Sequence, residues 1–234
     1  MKVTAIIVAA GSGTRLGDSE PKAFVDLGGQ PLLYYSLRTL SKVAPVAEVI
    51  VAIPPGKEPQ ARDAAQHAGL RVPLKLTAGG AERQESVAIA LSLANPESGI
   101  VVVHDAARPF ASAALFAACI EAAARSGGAI AAIAVADTLK EAAQSVIIAT
   151  RPRHGLFAAQ TPQAFRQELL TAAHRQSAAQ PQPATDDAYL VERLGTKVEI
   201  VTGSALNFKI TTPEDLRMAR ALITSDHLLA AQFD

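Results

Sequence analysis

An α/β fold, built on a mostly parallel sheet with helices on its faces, is the class that this sequence predicts. Three observations carry it: apolar β-branched runs alternate with helical patterns, a glycine-rich turn follows the first run directly, and Ile100–Val103 is apolar without a break. Alternation of this kind marks parallel strands joined by crossover helices. An unbroken apolar run suits a strand covered on both faces. The chain has 234 residues, 49% hydrophobic and 19% charged, which is enough to bury a full core without disulfide or metal staples. One domain over residues 1–234 is the expectation.

Each element has its own signal. Val3 to Ala9 is the first strand, closed by Gly11 and Gly13. Its apolar run could imitate a secretory signal after Met1-Lys2, but it is short and Arg15 follows at once, so it reads as a strand. Pro31 opens a helix through Leu32–Leu40, since proline is tolerated in a first turn. Glu48 to Ile53 is a strand ended by Pro54-Pro55, and an Ala-rich helix follows from Glu58 to Ala68. Leu74 to Thr77 is a short strand before Gly79-Gly80. Val87, Leu91 and Ala94 give Glu85–Ala94 a helical period. After Ile100–Val103, Ser112 caps a helix that runs to Arg125 and stops at Gly127-Gly128. Ala129 to Val135 is a further strand.

The rhythm then changes. Residues 137–157 lack a helical period, contain a β-like run at Ser145–Thr150 and end in R-P-R-H. A two-stranded arm projecting from the sheet fits, and it needs a partner to cover its apolar side chains. Helical patterning resumes at Gln163–Arg175, Gln180–Pro183 reads as a loop, and Thr185 as the N-cap of a helix to Leu194. Val198 to Val201 is a strand, Pro213 starts the last helix, and Ser225–Asp234 is a tail. The whole is a Rossmann-like sheet with a projecting β-arm.

Composition removes several functions. With 22 Lys+Arg against 22 Asp+Glu, a nucleic-acid binder held by phosphate contacts is not expected. The lone Cys119 excludes a disulfide framework and a thiolate zinc site, and fits a reducing cytoplasm. No apolar run approaches the ~20 residues of a membrane span.

The glycine turn G-S-G-T-R-L-G (residues 11–17) lets backbone N–H groups face an anion at close range. Its spacing is not G-x-G-x-x-G, and no acid ends the second strand to hold a ribose, so an NAD(P) site is disfavoured. No Gly-Lys-Ser/Thr makes it a phosphate loop of the ATPase kind. It does carry Arg15 and is followed by Lys22, cations suited to a triphosphate whose charge is neutralised while a bond at phosphorus breaks. Asp105 follows a buried strand, where a hard magnesium ion, or another divalent cation, finds carboxylate oxygen beside such a triphosphate. The plainer alternatives for Asp105 are a helix cap or a salt bridge to Arg108. His104 reads as a packed, hydrogen-bonded side chain. Lys209 lies in an apolar strand and calls for an anionic partner. Thr185-Asp186-Asp187 reads as helix capping rather than a second metal site.

The opening A-A-G-S-G-T-R and P-K combine with four later stretches: G-G-A-E-R-Q-E-S (79–86), V-H-D-A-A-R-P-F (103–110), A-Q-T-P-Q-A-F (159–165) and N-F-K-I-T-T-P-E-D-L (207–216). In this order, from Val3 to Ala221, they resemble the 2-C-methyl-D-erythritol 4-phosphate cytidylyltransferases of the non-mevalonate isoprenoid pathway. H-D-A-A-R-P is shared with the relatives that make CDP-ribitol. The resemblance implies a CTP transferase acting on a polyol phosphate, with Arg15 and Lys22 on the α-phosphate and Arg153 and Lys209 on the substrate phosphate. It implies Ala9, Ala10, Gly80, Ala81 and Ser86 around base and ribose, with Gly11, Gly13 and Ala106 also on CTP. Ala81 stands where some relatives carry an acid, which leaves that contact to the backbone. Asp105, Arg108, Asp137 and Thr138 are implied on the polyol side. A homodimer that exchanges arms is implied too, and agrees with apolar Val146, Ile147 and Ile148 in the arm. Ribitol 5-phosphate transfer is the nearest alternative, and a non-catalytic nucleotide-binding module a more distant one.

Overall fold

The computed structural model describes residues 1–11, 13, 16, 20–180 and 184–224. In chain order the elements are β1 (Val3–Val8), a 3₁₀ turn at Lys22–Phe24, β2 (Asp26–Leu27), β3 (Gln30–Pro31), α1 (Leu32–Leu40), β4 (Val46–Ile53), α2 (Glu58–His67), β5 (Leu74–Ala78) and α3 (Arg83–Ser92). They continue with β6 (Ile100–Asp105), α4 (Ala113–Ser126), β7 (Gly128–Ala134), β8 (Leu139–Ala143), β9 (Val146–Arg151), β10 (Phe157–Arg166), α5 (Gln167–Ala179), α6 (Asp187–Glu192), β11 (Glu199–Thr202) and α7 (Pro213–Thr224).

Seven strands form the central sheet in the order β11-β7-β10-β6-β1-β4-β5. All neighbours pair in parallel except β10, which runs antiparallel between β6 and β7. The fold is therefore a mostly parallel α/β sheet, as the sequence predicts. Alternation along the strands assigns the two faces. Ala5 and Ile7 of β1 join Val49 and Val51 of β4, and pack with Leu33, Leu37, Phe116 and Ile120 from α1 and α4. Ile6, Ile50, Val101 and Val103 point the other way, onto Val87, Leu91, Leu170 and Val191 from α3, α5 and α6. A third cluster joins α7 to the small β2–β3 ribbon through Leu27, Leu32, Ile210 and Leu216. β8 and β9 pair only with each other.

The ends of α4 follow their local chemistry. Ser112 accepts the Leu115 N–H in its side-chain hydroxyl, and Gly127 closes the helix at φ 96°, a left-handed turn that suits glycine.

Three expectations need correction. Residues 157–166 are strand β10, and the helix expected from Gln163 begins at Gln167. The polar Gln160, Pro162 and Gln163 hide this strand, because a proline donates nothing to a ladder. The chain accommodates it where the β10–β7 register shifts, between Ala159 and Gln163. The cap of α6 is Asp186, whose carboxylate accepts from Tyr189 N–H, and not Thr185. Lys209 lies in an irregular loop rather than a strand. Part of the loop expected at Gln180–Pro183 and the whole tail at Ser225–Asp234 lie outside the described residues.

Candidate active site

The chain moves outward from β1 to β4 and β5, then returns to place β6 on the other side of β1. Where strand order reverses, the loops at the carboxyl ends part and leave a crevice. A cavity of about 400 Å³ lies there. Ala9, Ala10, Gly11 and Gly13 line it from the first loop, and Gly80, Ala81 and Ser86 from the loop after β5. The end of β6 adds Asp105 and Ala106, and Lys22 and Lys209 bring charge. Arg15 lies outside the described residues.

Small residues shape these walls for stated reasons. Gly13 sits at φ +70°, and a Cβ there would lie 2.9 Å from both the N and the Cβ of Lys22. The glycine therefore lets the first loop lie directly on the Lys22 backbone, and sets that lysine at the cavity. Ser86 is buried; its hydroxyl accepts the Gly80 N–H at 3.0 Å and donates to the Glu82 carbonyl at 3.1 Å. The Ala81 N–H goes to the Glu85 carboxylate at 2.8 Å. The Ala81 N–H and the Ser86 hydroxyl, both expected at the base, thus brace their own loop.

Asp105 is the electrostatic centre. Its Oδ1 accepts from Arg83 Nε at 3.0 Å, and its Oδ2 from Lys209 Nζ at 2.8 Å. Burial alone would raise this carboxyl, but the two cations overcome it and hold it well below the usual carboxylate range. The salt bridge weighed for Asp105, to Arg108, is not made. Arg108 instead donates to the carbonyls of Asn207 (2.8 Å) and Ala159 (3.3 Å), so it ties the β6 turn to β10 and to the Lys209 loop.

Neighbouring side chains hold these loops. His104 is buried, with Nδ1 2.9 Å from Thr161 Oγ1 and Nε2 3.1 Å from the Arg108 carbonyl. Thr161 Oγ1 also accepts the Asp105 N–H at 3.0 Å. Burial lowers the His104 imidazole to about 4, so it stands neutral and structural, as its sequence context suggests. Asn207, fully buried, donates to the Thr161 carbonyl (2.9 Å) and to Gln160 Oε1 (3.1 Å), and the Ile210 N–H reaches the Ala107 carbonyl at 2.8 Å. The stretches 159–165 and 207–216 are thus one mechanical unit, which presents Lys209 to Asp105.

Other expected residues are not brought to this cavity. Asp137, Thr138 and Arg153 are exposed on or beside the β8–β9 ribbon, and they do not line it. The ribbon also exposes Val146, Ile147 and Ile148 at 65%, 60% and 60%.

Sequence reasoning missed Arg83 and His174, and read Asp187 only as part of a helix cap. Arg83 also donates from Nη1 to Asp187 Oδ2 at 2.7 Å, and His174 Nε2 lies 3.0 Å from Asp187 Oδ1. Asp187 is buried and is the first residue of α6, whose cap is Asp186. The signal present was a charged residue inside an otherwise recognisable motif, R in G-G-A-E-R-Q-E-S, with no partner visible nearby in sequence.

Among the described residues no group of three His, Cys, Asp or Glu side chains could hold a metal by itself. Among the described residues, the carboxylates lining the cavity are Asp105 and Glu82. Magnesium is ordinarily held by one or two carboxylates, with substrate phosphates completing its shell. The donor set fits an ion that shares its ligands with a triphosphate.

A family profile described as 2-C-methyl-D-erythritol 4-phosphate cytidylyltransferase matches residues 3–225. The chain is 43% identical over 224 residues to the enzyme of that name from Pelotomaculum thermopropionicum, covering 95% of this chain and 94% of that one. It is 46% identical over 222 residues to the one from Deinococcus radiodurans, covering 94% and 89%. The crystal structure of the Thermus thermophilus enzyme superposes with a TM-score of 0.81 at 40% identity, over 96% of this chain and all of that one.

Proposed function

The chain belongs to the 2-C-methyl-D-erythritol 4-phosphate cytidylyltransferase family, and from that premise we propose how its residues carry the reaction. CTP and 2-C-methyl-D-erythritol 4-phosphate give CDP-methylerythritol and pyrophosphate, a nucleotidyl transfer of isoprenoid biosynthesis. Ribitol 5-phosphate transfer is not favoured by these relatives.

The observation that carries the site assignment is the convergence of Lys22, Asp105 and Lys209 on one cavity walled by small residues. Alanines 9, 10, 81 and 106, with glycines 11, 13 and 80, let CTP approach the backbone closely, and Ser86 keeps the 80–82 loop in place. A phosphate oxygen of the polyol substrate attacks the α-phosphorus in line, the bond to the bridging oxygen breaks, and pyrophosphate leaves. The nucleophile is already anionic, so no general base is needed. The barrier is that of bringing two anions together, and positioned cations lower it. Lys22, with Arg15, neutralises the α-phosphate as charge builds. Lys209 receives the substrate phosphate and exchanges its Asp105 contact for it. Asp105 would hold a magnesium ion, which would supply positive charge to screen the triphosphate and the departing pyrophosphate. Arg108 braces the substrate side of the turn.

Arg153 and Thr138 complete the substrate site from a second copy of the chain. Support comes from the exposed apolar side chains of the β8–β9 ribbon, which a homodimer would cover, and from the distribution of cations within a single chain. No described helix is long and apolar enough to cross a membrane, and substrates and lone buried Cys119 suit a cytoplasmic enzyme. Pyrophosphate release measured with CTP and a panel of polyol phosphates tests the reading. Methylerythritol phosphate should give the highest kcat/KM; a higher value for ribitol 5-phosphate would reassign the substrate.

A further inference from the structure

Asp105 is held from two sides that differ in kind. Lys209 meets its Oδ2 from the cavity, and the lysine side chain is 38% exposed. Arg83, whose side chain is 24% exposed and also lines the cavity, meets Oδ1, and the same guanidinium reaches back to Asp187, which is 1% exposed. Asp187 is itself fully engaged: Oδ2 on Arg83, Oδ1 on His174, and its backbone N–H on Gln163 Oε1 at 3.1 Å. Gln163 also accepts from the Ala188 N–H and donates to Asp186, which bolts the start of α6 to β10. Arg83 opens α3, His174 lies on α5 and Asp187 opens α6. Three helices on one face of the sheet thus converge on a single oxygen of the catalytic carboxylate.

The chemistry of such a chain is directional. A guanidinium is planar and always charged, so a carboxylate that fixes one edge fixes the orientation of the rest. Neither Asp187 nor His174 lines the cavity, and Arg83 is committed to two acids before any substrate arrives. Asp187 also shares the arginine charge, so Asp105 is less neutralised than it would be with Arg83 to itself. Loss of Lys209 to a substrate phosphate then leaves Asp105 with Oδ2 exposed and Oδ1 still clamped.

We propose that His174, Asp187 and Arg83 form an internal strut of positioning residues, which clamps Oδ1 of Asp105 and so reserves Oδ2 for the substrate side of the reaction. The proposal rests on the assignment of Asp105 to the active site made above. Asp187 and His174 do not line the cavity and reach it through Arg83 and Asp105, and that makes their part separable from ordinary core stability. Asp187→Asn keeps the shape and should lower kcat about tenfold or more, with KM for CTP changed less, the range expected for coupled neighbours. His174→Leu should lower kcat in the same direction by less, and His174→Gln, which can present an N–H near Nε2, should restore much of it.

The deciding measurement is a double-mutant cycle in kcat on folded dimer or monomer fractions: Asp105→Asn, Asp187→Asn and the pair, with His174→Leu replacing Asp187→Asn should that variant not fold. The strut predicts that the second substitution costs little once Asp105 is already Asn. Independent, multiplicative losses would overturn the strut while leaving Asp105 in the site. Wild-type turnover of Asp105→Asn alone would remove Asp105 from the site and the strut with it.

Discussion

The crevice and the β8–β9 ribbon handle their charges and apolar groups in opposite ways. In the crevice, charged groups are part-buried and paired: Asp105 is 6% exposed and meets two cations, one of which is shared with a second buried acid. On the ribbon, Arg153 is exposed and three consecutive aliphatic residues face outward. A two-stranded ribbon is marginal alone in water, and its one ion pair, Arg151 with Glu141, is solvated. The proposed division of the site follows this contrast: the residues assigned to the nucleotide line one cavity of one chain, whereas Thr138 and Arg153, assigned to the substrate, do not line it.

The largest test of that division is in the crevice. Lys22→Ala should lower kcat by ~10²–10³-fold with a smaller change in CTP affinity, because one oriented charge on the reacting phosphate is worth ~2.7–4 kcal/mol in the transition state. A rise in KM for CTP with turnover intact would move Lys22 from the transition state to ground-state binding. Next comes Asp105→Asn, for which activity should fall and the magnesium concentration at half-maximal rate should rise. Superimposable metal titrations of variant and parent would show that the carboxylate has no hold on the ion.

A third test sharpens the crevice as a pre-paired interior, and concerns stability alone. His104 is buried and neutral, with its imidazole lowered to about 4 from an ordinary value near 6.5. Between those two values the unfolded chain binds a proton that the folded chain does not, so stability falls as pH drops through that window. The fall totals roughly 3 kcal/mol and levels off below about 4. Asp105 adds to the loss at still lower pH, since its depressed carboxyl contributes stability above the ordinary carboxylate value and gives it up on protonation. Urea midpoints from pH 7 to pH 4 should therefore decline, and decline less in His104→Gln. Parallel pH profiles would deny His104 its part.

How far these features were legible follows the range of the interactions that make them. β1, β4 and β6 read directly, because each is an apolar run whose two faces are both covered. Ser112 and Gly127 read directly because caps act within a few residues. β10 did not: Gln160, Thr161 and Gln163 are polar because their side chains hold the Lys209 loop, the β6 turn and α6, contacts made far along the chain. The nucleotide loops and Lys209 could be named from motifs, while the Arg83–Asp187 pair spans 104 residues, so Arg83 shows in its motif but its partner does not.

The proposed division of the site between two chains is tested most directly by complementation. An Arg153→Ala chain and a Lys22→Ala chain, each nearly inactive alone, are mixed under conditions of verified subunit exchange, and pyrophosphate release is followed. If the ribbon delivers Arg153 across the dimer, one of the two sites in each hybrid contains both intact residues, and activity should return to roughly a quarter of the parent level when exchange is statistical. No recovery above the two variants measured separately would contradict the account, and would place Arg153 in the site of its own chain or in none.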